Sequence, residues 1–335
     1  MADIMAEKIR RIGVLTSGGD APGMNAAIRA VVLTAIHFGV ECVGIRRGFN
    51  GLISGYMIPL TAGQVAGISK HGGTVLFTAR SAEFFTPEGQ KRAADNCRFM
   101  GLDGLIVIGG DGSFHGAQKL AELGVRVIGI PGTIDNDIGC TSYTIGFDTA
   151  CNTAVEAVDR LNDTMQSHER CSVVEVMGRH SGHLALNVGI ATGATVTLIP
   201  EMEIDFETDV ADRIRAARLS GKTHFTVIVA EGASMSAEAV AAKIKEATGV
   251  DTRVTTLGHL QRGGPPLVRD RVTASRMGYK AVELLLSGTY NRIICMRGDQ
   301  IVDYDINEAL AMTKGLDVDA CLMQDALMSG QDLGF

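Results

Sequence analysis

The chain has 335 residues, 46% apolar and 21% charged, which is enough to bury full cores in about two α/β-sized domains and too apolar for a disordered segment. A net charge of −7 argues against a nucleic-acid groove or an anionic membrane surface as the main partner, and no run approaches the roughly 20 consecutive apolar residues of a membrane span. The opening MADIMAEKIRR lacks the apolar stretch of a secretory signal, and seven cysteines, scattered and never spaced C-x-x-C, fit a reducing cytoplasm rather than a disulfide framework or a zinc site.

The 41 glycines gather at strand-to-helix junctions. The first predicted strand, 12–16, runs into T-S-G-G-D-A-P-G-M-N (Thr16 to Asn25) and a helix over 22–38. Gly18 and Gly19 let backbone N–H groups approach a phosphate, and the helix N-terminus adds partial positive charge. A tight strand-to-helix turn would use the same glycines. The string is not the G-x-G-x-x-G fingerprint, and the second strand, 41–45, ends in Arg46 and Arg47 where a NAD site would place an acid. Arg80 follows in T-A-R-S. A strand over 105–108 leads into I-G-G-D-G-S-F-H-G, where Gly110, Asp111, Gly112 and Ser113 precede or open a helix over 113–123. Glycines on both sides of a carboxylate suit a polyphosphate lying on backbone while Asp111 reaches its Mg²⁺; a turn or cap residue is the plainer reading. A strand over 125–130 then leads to I-P-G-T-I-D-N-D. In extended chain Asp135 and Asp137 share a side, and their mutual repulsion suits a general base beside a metal, with an Asx turn as the alternative.

A domain break is expected near Phe147, before a long helix over 149–166. Strands over 172–177, 195–199, 226–230, 253–257 and 293–296 alternate with helices over 209–218, 237–247 and 270–286, a pattern of βαβ units with parallel sheets buried on both faces. In such folds ligands bind where strand C-termini meet helix N-termini. Arg170, Arg179 in V-M-G-R-H-S-G, Arg253, and Arg262 in H-L-Q-R-G-G stand at or near strand ends. Arginine's planar fork matches phosphate, and each charge-assisted bond is worth about 1.5–3 kcal/mol. Of eight histidines only His259 stands in such a loop. Gly221-Lys222-Thr223 ends like a P-loop, but Ala216 occupies the required first glycine and a strand follows, so this is a helix-to-strand turn.

Together IGVLTSGGDAPGMNAAIR, IGGDGS, PGTIDND, TIGFDTA, SVVEVMGR and LGHLQRGG closely resemble the bacterial ATP-dependent 6-phosphofructokinase family, from about Lys8 to near the C-terminus. PGTIDND with MGR and GHLQRGG is the specific part, because GGDG also occurs in NAD and lipid kinases. The resemblance implies two doubly wound, Rossmann-like α/β domains with parallel-rich sheets: an ATP-binding domain at 1–147 plus about 261–310, and a fructose-6-phosphate-binding domain at 148–260 plus about 311–335. It implies a cytoplasmic, glycolytic homotetramer. ATP contacts fall on Gly19, Arg80, Ser81, Gly110, Asp111, Gly112 and Ser113, with Asp111 at the Mg²⁺ position. Asp135 matches the base that deprotonates the sugar 1-hydroxyl, flanked by Thr133 and Asp137, with Arg80 and Arg179 offsetting charge on the moving phosphoryl group. Sugar-phosphate contacts fall on Thr133, Ile134, Asp135, Met177, Gly178, Arg179, Glu231, His259, Leu260, Gln261 and Arg262. Arg170 and Arg253 match arginines that reach a neighbouring subunit's sugar phosphate.

Pyrophosphate-dependent relatives carry Asp where this chain has Gly112 and Lys where it has Gly132; glycine at both leaves room for a nucleotide and favours ATP. At the family's effector pocket Arg29 and Lys222 are retained, while Leu33, Ala62 and Asn162 stand in place of arginines, which implies weak or absent ADP activation and phosphoenolpyruvate inhibition. The rivals are a pyrophosphate-dependent enzyme and a non-catalytic sugar-phosphate-binding subunit. The latter would need a broken base or metal position, and Asp111, Asp135 and Arg179 are all present. A dinucleotide oxidoreductase would lack its fingerprint.

Overall fold

The β-branched runs form eleven strands among the described residues, which are 9–316 and 323 of the computed structural model. In chain order they are β1 (Arg11–Thr16), β2 (Glu41–Ile45), β3 (Met57–Pro59), β4 (Gly104–Gly109), β5 (Val127–Pro131), β6 (Cys171–Val176), β7 (Val196–Leu198), β8 (Phe225–Ala230), β9 (Thr252–Thr256), β10 (Arg292–Arg297) and β11 (Gln300–Asp305). The chain separates into two units. The first holds residues up to Ile134, Ile138–Asp148 and Arg262–Lys314; the second holds Asp135–Asp137 and Thr149–Gln261.

The first unit is built on a seven-stranded sheet of order β11-β10-β5-β4-β1-β2-β3. Its interior pairings are parallel, and both ends are finished by an antiparallel strand, β3 on β2 and β11 on β10. Strands β1, β4 and β5 are buried almost throughout, as their unbroken apolar runs require of a sheet covered on both faces. Leu15, Ile45, Leu105, Val107, Phe114, Val127 and Ile293 make one core. Phe114 fits only because Gly129 faces it: a Cβ there would stand 2.8 Å from the ring. On the sheet's flank, helices Met24–His37 and Val268–Leu286 approach at Gly278, where a Cβ would fall 2.7 Å from Ala30 Cβ.

The second unit carries a four-stranded, all-parallel sheet of order β7-β8-β6-β9. Val173, Val227 and Val229 pack with Ile214, Val240 and Ile244 from the helices Asp212–Leu219 and Ala237–Thr248. The two antiparallel edges escape the sequence reading, the three-residue β3 because it is too brief and the six-residue β11 because it is too polar. The helices Pro87–Phe99 and His183–Thr192 escape it too: one is strongly charged, the other apolar on nearly every face. The helix expected over 209–218 opens as a π-helical turn, Glu207–Ala211, before Asp212–Leu219.

Both sheets reverse their winding. In the first, the chain leaves β1 towards β2 on one side and later fills β4 and β5 on the other, which makes the β1/β4 junction a switch point. In the second, β8 and β9 lie on opposite sides of β6. Ligands of open parallel sheets settle outside the strand C-termini at such junctions, where the glycine motifs, Arg179 and Arg262 stand; Arg170, just before β6, and Arg253, second in β9, lie instead at strand N-terminal ends. Among the described residues no helix is long and apolar enough to cross a membrane. Cys42, Cys97, Cys140, Cys171 and Cys295 are buried and Cys151 is partly exposed, all as thiols; Cys321 lies outside the described residues.

Candidate active site: a glycine-lined cradle and a three-loop cluster

In the first unit, the loop after β1 and the loop after β4 lie side by side. Ser17 N–H donates to the Ile108 carbonyl at 2.9 Å. A Cβ on Gly109 would stand 2.4 Å from Ser113 Oγ and 2.6 Å from the Ser17 carbonyl, and one on Gly18 would stand 3.5 Å from the same Oγ. Gly18 is in the left-handed region at φ 84°, and Thr78 Oγ1 donates to its carbonyl at 2.6 Å. Helix Asp111–Glu122 begins two residues earlier than expected, with Gly110 as its N-cap, no side-chain cap, and Asp111 as its first residue. Its first N–H groups are therefore available to an anion. Above Gly112 the space is open: a Cβ there would meet nothing within 4 Å. Thr133 packs beside Gly110, 3.6 Å from where a Cβ would be. Ile134 is buried.

Arg262 reaches this cradle rather than lying apart from it. Its guanidinium rests on Gly19 so closely that a Cβ would stand 1.7 Å from Nη1, and its buried Nε has no hydrogen-bond partner. Arg80 is exposed, and its carbonyl accepts from Asn50 Nδ2 at 3.0 Å. The Ser81 hydroxyl is buried and accepts from Phe84 N–H at 3.3 Å, so it caps the following turn.

Two positioning residues here carried no signal beyond their place in the quoted strings. Buried Asn25 accepts from Val75 N–H at 2.8 Å and donates to the His71 and Gly72 carbonyls at 3.1 Å, which fixes the segment leading to Thr78 and Arg80. Thr16 Oγ1 reaches Thr74 Oγ1 at 2.9 Å and the Phe77 carbonyl at 3.0 Å.

In the second unit, the loops after β6, β8 and β9 converge. Arg179 takes a left-handed conformation, φ 59°, just after Gly178 at φ 141°. Its N–H donates to Glu231 Oε1 at 2.6 Å, and Gly232 leaves room for its carbonyl, which a Cβ would approach to 2.2 Å. Such a conformation costs a non-glycine residue of order 1–3 kcal/mol and persists only where the surroundings enforce it. Gln261, fully buried, accepts from Met177 N–H at 3.2 Å and donates to the Gly258 carbonyl at 3.0 Å. Its amide therefore ties the β6 and β9 loops together, and the backbone engages both ends of it. His259 and Leu260 stand exposed beside it on the 3₁₀ turn Gly258–Arg262. Glu201, unmarked by the sequence, accepts from Gly182 N–H at 2.8 Å and anchors the following helix. Glu175 is held above the usual carboxylate range by burial and by the charges of Glu238 and Glu231.

The loop bearing Asp135 and Asp137 departs from expectation. Asn136 between them is left-handed, φ 51°, so the chain turns there and the extended relation of the two carboxylates does not form. Asparagine tolerates this conformation better than most residues. Ser181 Oγ donates to the Asp135 carbonyl at 3.4 Å. Arg170 and Arg253 share one carboxylate, at 2.7 and 3.2 Å from Asp251 Oδ2, which holds two guanidinium groups together at the start of the neighbouring strands β6 and β9.

These loops carry the sequence strings of a known family. A sequence model of that family, described as phosphofructokinase, matches residues 11–285. The chain belongs to the phosphofructokinase family. An ATP-dependent 6-phosphofructokinase of Clostridium tetani is 55% identical over 304 residues, covering 91% of this chain and 95% of that protein. One of Clostridium botulinum is 52% identical over 309 residues, covering 92% and 96%. Among solved structures, a phosphofructokinase of Saccharomyces cerevisiae aligns with TM-score 0.85 and 36% identity over 96% of this chain, which spans only 47% of the yeast chain. A pyrophosphate-dependent phosphofructokinase of Marinobacter aquaeolei shares the fold, with TM-score 0.83 at 23% identity over 93% of this chain and 86% of that one. The fold is thus shared with a protein described as using a different phosphoryl donor.

Proposed function

We propose that this phosphofructokinase-family chain is an ATP-dependent 6-phosphofructokinase, which transfers the γ-phosphoryl group of ATP to the 1-hydroxyl of fructose 6-phosphate. The observation that carries the donor assignment is the open space over Gly112 at the uncapped start of helix Asp111–Glu122, where a nucleotide's phosphates can lie on backbone. An Asp at 112 would project a negative charge into that space. At Gly132 even a Cβ would press within 3.1 Å of Ile108 and 3.3 Å of Met24, which disfavours the lysine that pyrophosphate-dependent relatives carry there. High identity to curated ATP-dependent enzymes supports the same donor.

Gly19, Arg80 and the 110–113 backbone hold the nucleotide. Arg179, Glu231, His259 and Arg262 hold the sugar phosphate, with Arg170 and Arg253 serving a neighbouring subunit of a homotetramer. Asp135 accepts the proton of the 1-hydroxyl as that oxygen attacks the γ-phosphorus, while Arg80 and Arg179 offset charge on the transferring group and ADP leaves; such chemistry is mostly positioning and charge neutralisation.

The donor set fits magnesium. No three His, Cys, Asp or Glu residues among those described group tightly enough to hold an ion, and Mg²⁺ is ordinarily bound through one or two carboxylates plus substrate phosphates. Asp111 is that carboxylate, and the ion, when bound with the nucleotide, neutralises phosphate charge.

Initial rates with fructose 6-phosphate against ATP and against pyrophosphate test the reading. ATP turnover with little from pyrophosphate is expected, and Asp135→Ser should lower kcat by several orders of magnitude with modest change in sugar-phosphate affinity. Equal rates with both donors would overturn the donor assignment, and near-normal turnover of Asp135→Ser would remove Asp135 from the base role.

A further inference from the structure

Asp270 is completely buried, in the first turn of helix Val268–Leu286, and belongs to none of the sequence strings that mark the site. A buried carboxylate is costly unless hydrogen-bonded. Two of the bonds that satisfy Asp270 run away from its own helix: Oδ1 accepts from Tyr143 O–H at 2.5 Å and from Gly146 N–H at 2.7 Å. Burial and the Asp270 charge together keep the Tyr143 hydroxyl protonated, pushing its ionisation well above the ordinary tyrosine value. The Arg269 guanidinium stacks on the Tyr143 ring at 4.3 Å. The segment so gripped, 143–146, is not part of any named strand, yet it is bonded to the residues after β5. Ile145 N–H donates to the Pro131 carbonyl at 3.0 Å, Thr144 Oγ1 donates to the Thr133 carbonyl at 2.7 Å, and Ile145 pairs with Gly132 in a short parallel bridge. Thr133 in turn packs on Gly110.

We propose that Asp270 is a positioning residue for phosphoryl transfer. Through Tyr143 and Gly146 it fixes the 143–146 segment, which fixes Thr133 against the Gly110 end of the nucleotide cradle. The inference rests on the reading of that cradle as the ATP side of the reaction. Misplacing reacting groups by about 1 Å costs roughly a hundredfold in rate, so a clamp of this kind can govern turnover without touching substrate.

The test uses the full chain and three variants, with rates normalised to the folded fraction by near-ultraviolet circular dichroism. Tyr143→Phe is expected to lower kcat about tenfold and raise KM for ATP about threefold while KM for fructose 6-phosphate stays within about twofold, a split that loss of folded protein cannot produce. Asp270→Ala should do the same more severely. Asp270→Asn keeps an Oδ1 acceptor for both donors and should return kcat to within about threefold of the parent. Without any turnover, hydrogen exchange over 131–146 should quicken about tenfold in Tyr143→Phe, with β1 unchanged.

Unchanged kinetics in Tyr143→Phe would overturn the proposal. So would equal acceleration of exchange in β1 and 131–146 with both KM values unmoved, because that marks a stability effect only. If Asp270→Ala does not fold, Tyr143→Phe and Asp270→Asn decide. A parent that turns over no fructose 6-phosphate would sink the functional reading alone, and the exchange measurement would still decide the clamp.

Discussion

The contact between Arg262 and Gly19 allows a functional loss to be separated from a structural one. In Gly19→Ala the new Cβ would stand 1.7 Å from Arg262 Nη1, 2.8 Å from Cζ and 3.1 Å from Nη2, with no other group nearer. Ordinary contact lies at about 3.5–4.0 Å, so the guanidinium must withdraw by roughly 2 Å. It sits at the end of a flexible side chain and Gly19 is not among the positive-φ residues, so the fold should yield easily, with Tm lowered by no more than about 2 °C. A charge-assisted hydrogen bond stretched by that distance is lost, and at about 1.5–3 kcal/mol this lowers kcat/KM for fructose 6-phosphate roughly 10- to 150-fold. Initial rates at varied fructose 6-phosphate and saturating ATP, with a thermal melt of the same preparation, make the measurement. At saturating ATP, which offsets any loss of nucleotide affinity at Gly19, the double variant Gly19→Ala/Arg262→Ala should have a kcat/KM for fructose 6-phosphate no worse than Arg262→Ala alone, since on the sugar-phosphate side both remove the same interaction. A kcat/KM within about threefold of the parent would refute the assignment of Arg262 to phosphate, and a Tm loss above about 5 °C would refute the easy yield of the fold.

Three further expectations concern the donor, the acid cluster and regulation. Gly112→Asp should fold normally, because its Cβ enters open space, yet raise KM for ATP by about tenfold or more through repulsion of the phosphates; an unchanged KM would show that nucleotide does not lie there. Glu175 has its pKa raised in the folded protein, chiefly by burial, so its protonated form favours folding and it weakens the fold as pH rises through that range. Glu175→Gln should therefore raise Tm more at pH 8 than at pH 4, and a pH-independent difference in melting curves would contradict this. At the positions where the family resemblance places an effector pocket, Leu33 and Ala62 bring no charge, and Asn162 Oδ1 accepts from Thr226 Oγ1 at 2.6 Å. Fructose 6-phosphate saturation curves should therefore respond weakly to ADP, and sigmoidal kinetics relieved by micromolar ADP would sink that reading.

The alternation of apolar runs with amphipathic stretches was enough to read the parallel-rich α/β architecture, since strands such as β4, β5 and β8, buried along their whole length, announce themselves by unbroken apolar sequence. Edge strands obey no such rule: β11 reads Q-I-V-D-Y-D, and its pairing is dictated by β10 rather than by its own composition. At the site, glycine-bearing junctions were legible because close backbone approach leaves few residue choices. The relation of Asp135 to Asp137 was not, because the left-handed Asn136 is imposed by surroundings that local spacing does not encode. The ties made by Asn25, Gln261 and Asp270 were hidden for the same reason. Each joins segments tens of residues apart, or more than a hundred, through one buried polar side chain, and a single Asn, Gln or Asp in a string carries no mark of its distant partner.

The buried sulfurs have a practical consequence. Burial pushes the Cys42, Cys97 and Cys171 thiols up to about 12, which leaves almost no thiolate at neutral pH, and only a thiolate is readily alkylated. Among the described cysteines Cys151 alone is partly exposed. Of the described cysteines, iodoacetamide added to the native protein should mark that position first. Slower incorporation at the others would then clock how often each sheet opens, with Cys42 reporting on β2 and Cys171 on β6, so the protein carries its own stability probes without any label being engineered into it.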